Sequence, residues 1–224
     1  MLSFYIKIYN LTNIMKKSLF FLSSFLIFLV ACAAQQNQEE LVQEAYNNYK
    51  SAILNDKGEE AVNYVDSRTI KYYGDILETV KSADKARINS LSLLDKLMVL
   101  IIRHKVPKED ILSFDGKQLL IFAIKNGMVG KSSVSNNSIG EVIIDKEFAK
   151  GQYISNGKTT NVSLHFYKEE GQWKIDLTSI FGIANLAFKQ MIDKSGEDED
   201  VVIFSVLESM TGKKPTEEIW QPIN

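Results

Sequence analysis

Residues 139–178 read IGEVIIDKEFAKGQYISNGKTTNVSLHFYKEEGQWKIDLT, and this stretch decides the fold. Apolar and polar residues alternate along it, as they do in a strand with one buried face. Three polar dipeptides interrupt the alternation: Lys146-Glu147, Asn156-Gly157 and Glu170-Gly171. Asn-Gly between alternating runs is the strongest short hairpin signal, because a type I′ turn needs positive φ at both central positions. The spacing predicts strands at Ile139–Asp145, Phe148–Ser155, Lys158–Glu169 and Gln172–Thr178, joined by two-residue turns. That register pairs Val142 with Gly151 and Ile144 with Ala149. It pairs Ala149 with Leu164 and Gly151 with Val162 in the middle hairpin, and Leu164 with Leu177 and Phe166 with Ile175 in the last. All three turns then send one set inward: Val142, Ile144, Ala149, Gly151, Tyr153, Val162, Leu164, Phe166, Trp173, Ile175 and Leu177. A slip of one residue would turn a strand's side chains to the other face. The agreement implies an antiparallel four-stranded meander with one covered face.

Upstream, the period changes from two to nearly four. Leu41, Ala45, Tyr49 and Ala52 mark an amphipathic helix from about Gln38 to Asn55, with Gly58 as punctuation. Short helices are expected over Glu59–Val65 and, capped by Ser67, over Arg68–Lys81. A single long helix is expected from Asp84 through Leu91, Leu94, Leu97, Met98, Ile101 and Ile102 to the break at Pro107. Asp115 is placed to cap a helix over Lys117–Lys125. Downstream, Ile180–Lys194 carries Ile183, Leu186, Ala187 and Met191 at helical spacing. Val201–Met210 follows acids at Glu197–Asp200, where a helix dipole favours them. The fold class is α+β, with N-terminal helices packed on the meander and a C-terminal helical extension at 180–224.

Helices followed by a meander ending in Gly171-Gln172-Trp173-Lys174-Ile175-Asp176-Leu177 resemble the nuclear transport factor 2-like superfamily, in particular envelope lipoproteins with a lumazine-binding-like domain. Asn55-Asp56-Lys57-Gly58-Glu59-Glu60-Ala61 is similar to that family's loop between its first two helices. The likeness covers residues 39–179. It implies a cone, a curved sheet wrapped on a long helix with a pocket at its open end. Tyr72, Tyr73 and Tyr153, with Trp173, are the candidate pocket residues, joined in sequence by Tyr64. Isomerases of this superfamily pair a tyrosine hydroxyl with a carboxylate, for which Asp66 and Asp75 lie nearest in sequence.

The N-terminus resembles a bacterial lipoprotein signal peptide. Lys16 and Lys17 precede the apolar run Leu19–Val30, and Leu29-Val30-Ala31-Cys32 resembles a lipobox. A spanning helix needs about 20 apolar residues, and Gln35-Gln36 ends this run first. The resemblance implies cleavage after Ala31, acylation of Cys32 and a tether at 32–38, with translation starting at Met15 and residues 1–14 superfluous. Acyl chains contribute about 0.8 kcal/mol per buried methylene, so Cys32 would hold the protein on a membrane. Ala33, where an aspartate would retain such a protein in the inner membrane, points to the outer membrane of the cell envelope.

Composition narrows the functions. The first 31 residues hold Lys7, Lys16 and Lys17 and no acid, so the remainder carries 26 less three basic against 28 acidic side chains, a net of −5. That spread argues against nucleic acid, which needs a concentrated basic face. Cys32 is the one cysteine and there are two histidines, neither at metal-ligand spacing, so no metal or other cofactor is called for. The register sets His165 opposite Asp176, a weak catalytic pair on the outward face, where a carboxylate would orient an imidazole base. A cross-strand polar pair contributing under about 1 kcal/mol is the plainer reading. His104 reads as a cation at a helix C-terminus. Trp220, between Pro215 and Pro222, either docks back on the domain or anchors a partner. No nucleotide-binding or common hydrolase motif occurs. The expected function is non-catalytic binding of a small apolar molecule, a peptide or an envelope protein. The alternatives are a cofactor-free isomerase or hydratase using the cone pocket, and an assembly factor acting through the C-terminal helices.

Overall fold

The structure, a computed structural model, describes residues 37–129 and 131–223. The tether and Cys32 lie outside the described residues up to position 36. The chain divides into two compact units, Met1–Leu41 and Val42–Asn224, and every side-chain contact named below lies within the second. It combines helices with an open four-stranded antiparallel sheet in sequence order: β1 (Asn137–Asp145), β2 (Phe148–Ser155), β3 (Lys158–Glu169) and β4 (Gln172–Asp176).

The turns behave as their sequences require. Asn156-Gly157 and Glu170-Gly171 take positive φ at both positions, and in Lys146-Glu147 only Lys146 does so. The first and last hairpins have the expected register, with Val142 opposite Gly151, Ile144 opposite Ala149, and Phe166 opposite Ile175. The middle hairpin corrects the expectation. Ala149 faces Phe166 and Gly151 faces Leu164, although Ser155 still pairs with Lys158 beside the turn. Two extra residues of β3 bulge opposite Tyr153. The Thr160 hydroxyl closes the bulge, donating to the Tyr153 carbonyl at 2.6 Å and accepting from the Val162 amide at 3.2 Å. An insertion of two preserves the faces, so Leu164 and Phe166 remain buried while Val162 is only half-buried. β4 also stops two residues early. Asp176 caps a 3-10 turn, Leu177–Ile180, through the Thr178 amide, so Leu177 leaves the ladder before it can face Leu164.

A one-residue bulge in β1 lies between Ile139 and Val142. It turns both of these side chains inward despite their odd spacing. The Gly140 carbonyl at this bulge accepts from Gln43 Nε2 at 2.8 Å. Gln43 belongs to α1 (37–54), which lays Val42, Ala45, Tyr46, Tyr49, Ala52 and Ile53 onto the apolar sheet face.

The remaining helices are α2 (Gly58–Ala61), α3 (Ser67–Ser82), α4 (Lys85–Asn89), α5 (Leu93–Lys105), α6 (Lys108–Ser113), α7 (Gly116–Lys125) and α8 (Ser132–Ser135), then α9 (Phe181–Ser195) and α10 (Glu199–Thr211). Most of them build a second core, while Ala61 of α2, Leu120 and Ile124 of α7 and Val134 of α8 join the sheet core. Asp66, rather than Ser67, caps α3, accepting from the Thr69 amide. Asp115 caps α7 as expected, within a full capping box with Gln118. The expected single helix from Asp84 is instead two, α4 and α5. The Ser90 hydroxyl folds back onto the Arg87 carbonyl, and Ser92 restarts the chain as an N-cap accepting from the Asp95 amide. The helical core runs from Ile76, Leu77 and Val80 of α3 through Val99, Leu100 and Leu119 to Ile203, Leu207 and Trp220. The C-terminal extension is therefore part of this core.

Candidate functional site

The register places His165 opposite Asp176, and also opposite Lys150. Each group has structural partners. Asp176 is buried, and its Oδ1 accepts from the Thr178 amide at 2.9 Å and the Thr178 hydroxyl at 2.5 Å. The His165 ring packs edge-on against Phe148, with centroids 5.2 Å apart. Asp176 thus serves as a cap, and the His165 ring as a packing partner of Phe148. A shallow cleft of about 270 Å³ beside it is lined by Lys150, Gln152 and Ser163.

The four candidate pocket residues fall in different surroundings. Trp173 is buried in the sheet core, with Tyr153 packed at its margin. Tyr73 touches both cores. Tyr72 belongs to the helical one, where its hydroxyl donates a short hydrogen bond to Asp95 Oδ1 and its ring meets Phe181 edge-on at 5.0 Å. Between the sheet and α1 the space is filled by side chains, with Phe166 and Ile175 fully buried and Tyr46 and Tyr49 nearly so. The Tyr46 hydroxyl is buried with no hydrogen-bond partner among the described residues, although its ring lies edge-on to Tyr153 at 6.4 Å. Burial drives the hydroxyls of Tyr46, Tyr49, Tyr72 and Tyr153 above the ordinary tyrosine range, and pushes Tyr73 up to about 12. These are neutral phenols.

Tyr72 and Asp95 do form a tyrosine–carboxylate pair, one that proximity in sequence did not suggest. Of the two carboxylates that proximity did suggest, Asp66 caps α3 and Asp75 pairs with Lys71 at the surface. Asp95 also accepts from the Ser92 hydroxyl at 2.8 Å, so the pair ties α3 to the first turn of α5, where a carboxylate is favoured by the dipole. None of the clefts described here is lined by either residue.

The C-terminal elements are locked down by cations that the sequence reading passed over. Lys96, which interrupts an apolar run in the sequence, is buried. Its ammonium donates to Glu199 at 2.8 Å and Asp200 at 2.5 Å in the first turn of α10. Burial pulls the Lys96 pKa down, but the hydrogen bonds it donates to the two carboxylates outweigh this and the net shift is upward. Arg103 satisfies the carbonyls of Val80 and Ala83 at the end of α3 and that of Ile219 in the tail. Trp220 docks back on the domain, 1% exposed, stacked on Phe204 at 5.8 Å with the Lys85 ammonium 4.6 Å above its ring. His104, in the last turn of α5, lies 2.9 Å from the Thr211 hydroxyl and 3.0 Å from the Lys213 carbonyl through Nε2.

One face of α9 is uncovered, as are Ile143 of β1 and Leu112 of α6. The helix is half-buried along Phe181, Asn185 and Phe188 and buried at Ile192, the stripe that meets α5 and the helical core. Asn185 accepts the Leu94 amide there at 3.0 Å. The stripe that the sequence brought forward is the other one: Ile183 is 49% exposed, Leu186 56% and Met191 46%. It runs into a groove of about 400 Å³ between the end of α9 and α10. No family model, curated protein or solved structure matches this chain.

Proposed function

We propose that this is a lipid-anchored envelope protein whose nuclear transport factor 2-like body works by binding another protein, not by catalysis. The observation that carries the reading is the apolar stripe Ile183, Leu186 and Met191 in contact with solvent, on a domain whose sheet interior is filled. Contiguous exposed apolar patches rimmed by polar residues are where proteins dock. The filled interior argues against a small apolar ligand held inside a cone. Helices on one face of a bulged four-stranded meander favour the superfamily resemblance. The lipobox-like Leu29-Val30-Ala31-Cys32 supplies the anchor and favours the envelope. The isomerase alternative retains one supporting observation, the Tyr72–Asp95 pair, but that tyrosine is held protonated on a carboxylate and lines no described cleft.

Two measurements test this. Labelled palmitate is expected in the wild-type chain and absent from Cys32→Ala, which should move from the membrane to the soluble fraction. A photo-crosslinker at Leu186 in cells is expected to give one discrete heavier adduct, lost on Ile183→Glu. If Leu186 gives no more adduct than the exposed Lys189 of the same helix, the docking reading fails.

A further inference from the structure

The docking reading leaves the occupant open; resting on that reading, we infer that the α9–α10 groove receives a short basic amphipathic helix from a partner protein. The groove floor is apolar along one face of α10, through Val202, Val206 and Met210, with Met191 of α9 as the opposite wall. Methionines suit such a surface because their unbranched chains adapt to an incoming side chain.

The groove offers its occupant little backbone hydrogen bonding. Two of the three lining serines already spend their hydroxyl proton within their own helix, Ser195 donating to the Ile192 carbonyl and Ser205 to the Val201 carbonyl. An extended peptide would leave its amides unpaired there, at a cost for each buried group. A helix satisfies its own backbone and needs only side-chain anchors. At 1.5 Å per residue the span from Val202 to Met210 is about 12 Å, which matches two to three helical turns with anchors at i, i+3 or i+4, and i+7.

Charge selects among such helices. Glu197, exposed, is the charged residue of the lining, and it stands at the end of the groove where α9 gives way to α10. It opens a run of four acids, of which Asp198 caps α10 and Glu199 and Asp200 are held by Lys96. A lysine or arginine at one end of the incoming helix meets Glu197. The same acids repel an anionic bilayer, and so oppose the stripe lying on a lipid surface.

The test uses the full lipidated chain in detergent and a fluorescent peptide of about three turns, with leucines at the anchor positions and lysines at one end. A twin carries glutamates in place of the lysines. The basic peptide is expected to bind, with the acidic twin about five- to tenfold weaker. Glu197→Lys should invert that order. Val206→Glu and, at a more exposed position, Met210→Glu should each abolish binding with circular dichroism unchanged. Equal binding of both twins, or binding untouched by Val206→Glu and Met210→Glu, overturns the inference. So does partition into phosphatidylglycerol vesicles that Met210→Glu removes, which would assign the face to membrane. If neither peptide binds while Leu186 still crosslinks, this occupant is wrong and the docking reading stands. If neither occurs, both fall.

Discussion

At the residue scale the most consequential side chain is Lys96, because a buried ammonium is stable only while its carboxylates remain. Its side chain is 5% exposed, whereas Glu199 and Asp200 are 44% and 36% exposed. The two halves of this cluster are therefore unequal. Removing the cation leaves two carboxylates that water still reaches, at a helix N-terminus that favours them. Removing the anions leaves a charge in the core with no compensation, which costs about 3–5 kcal/mol. Glu199→Gln/Asp200→Asn is expected to destabilise the protein by that amount in urea unfolding. Lys96→Met, which keeps an unbranched apolar stem, should cost no more than about 1 kcal/mol. Equal losses from the two variants would show that the ammonium is hydrated in solution.

At the element scale, close approach decides which glycines matter. A Cβ on Gly116, at the start of α7, would lie 2.5 Å from the Gly74 amide nitrogen and closer still to the Ile70 carbonyl oxygen. Both are backbone atoms of α3 and cannot swing away, so Gly116→Ala must push α7 from α3, at about 1–3 kcal/mol. Gly74, the facing residue, has open space where its own Cβ would stand. Gly74→Ala should be neutral or stabilise by up to about 1 kcal/mol, since alanine is the better helix former. Thermal unfolding of the two variants reads the difference directly. Periodicity could not have ranked these glycines, because their contacts are tertiary. It did find the turns, the strand faces and the Asp115 cap, all of which depend on neighbours in sequence. It missed the Thr160 bulge because a threonine hydroxyl closing on its own strand leaves no mark on the alternation. The serine caps that divide α4 from α5 were hidden in an otherwise continuous apolar pattern. For α9 it brought forward the outer of two apolar stripes. A helix apolar on both sides does not show which side is covered, and that ambiguity conceals the candidate site.

At the scale of the whole molecule, two cores meet through tyrosines. Tyr46, Tyr49 and Tyr153 serve the sheet core, Tyr72 the helical one, and Tyr73 both. Burial raises the pKa of all five, so the folded state holds phenol protons that the unfolded chain releases near pH 10. The unfolded state then binds fewer protons than the native one, and stability must fall as pH rises. The contribution is intact below about pH 10 and is lost as pH climbs through the folded values, about 12 for Tyr73. Lys96, with its pKa also raised, has the same sign. The urea midpoint is thus expected to be flat from about pH 8 to pH 10 and to drop steeply above it. Tyrosinate absorbance from these residues should rise together with unfolding. Were the five phenols to ionise well before the midpoint fell, water would have to reach the space between α1 and the sheet in the native state. That space would then be an accessible pocket, and small-molecule binding would displace the surface of α9 as the function to pursue.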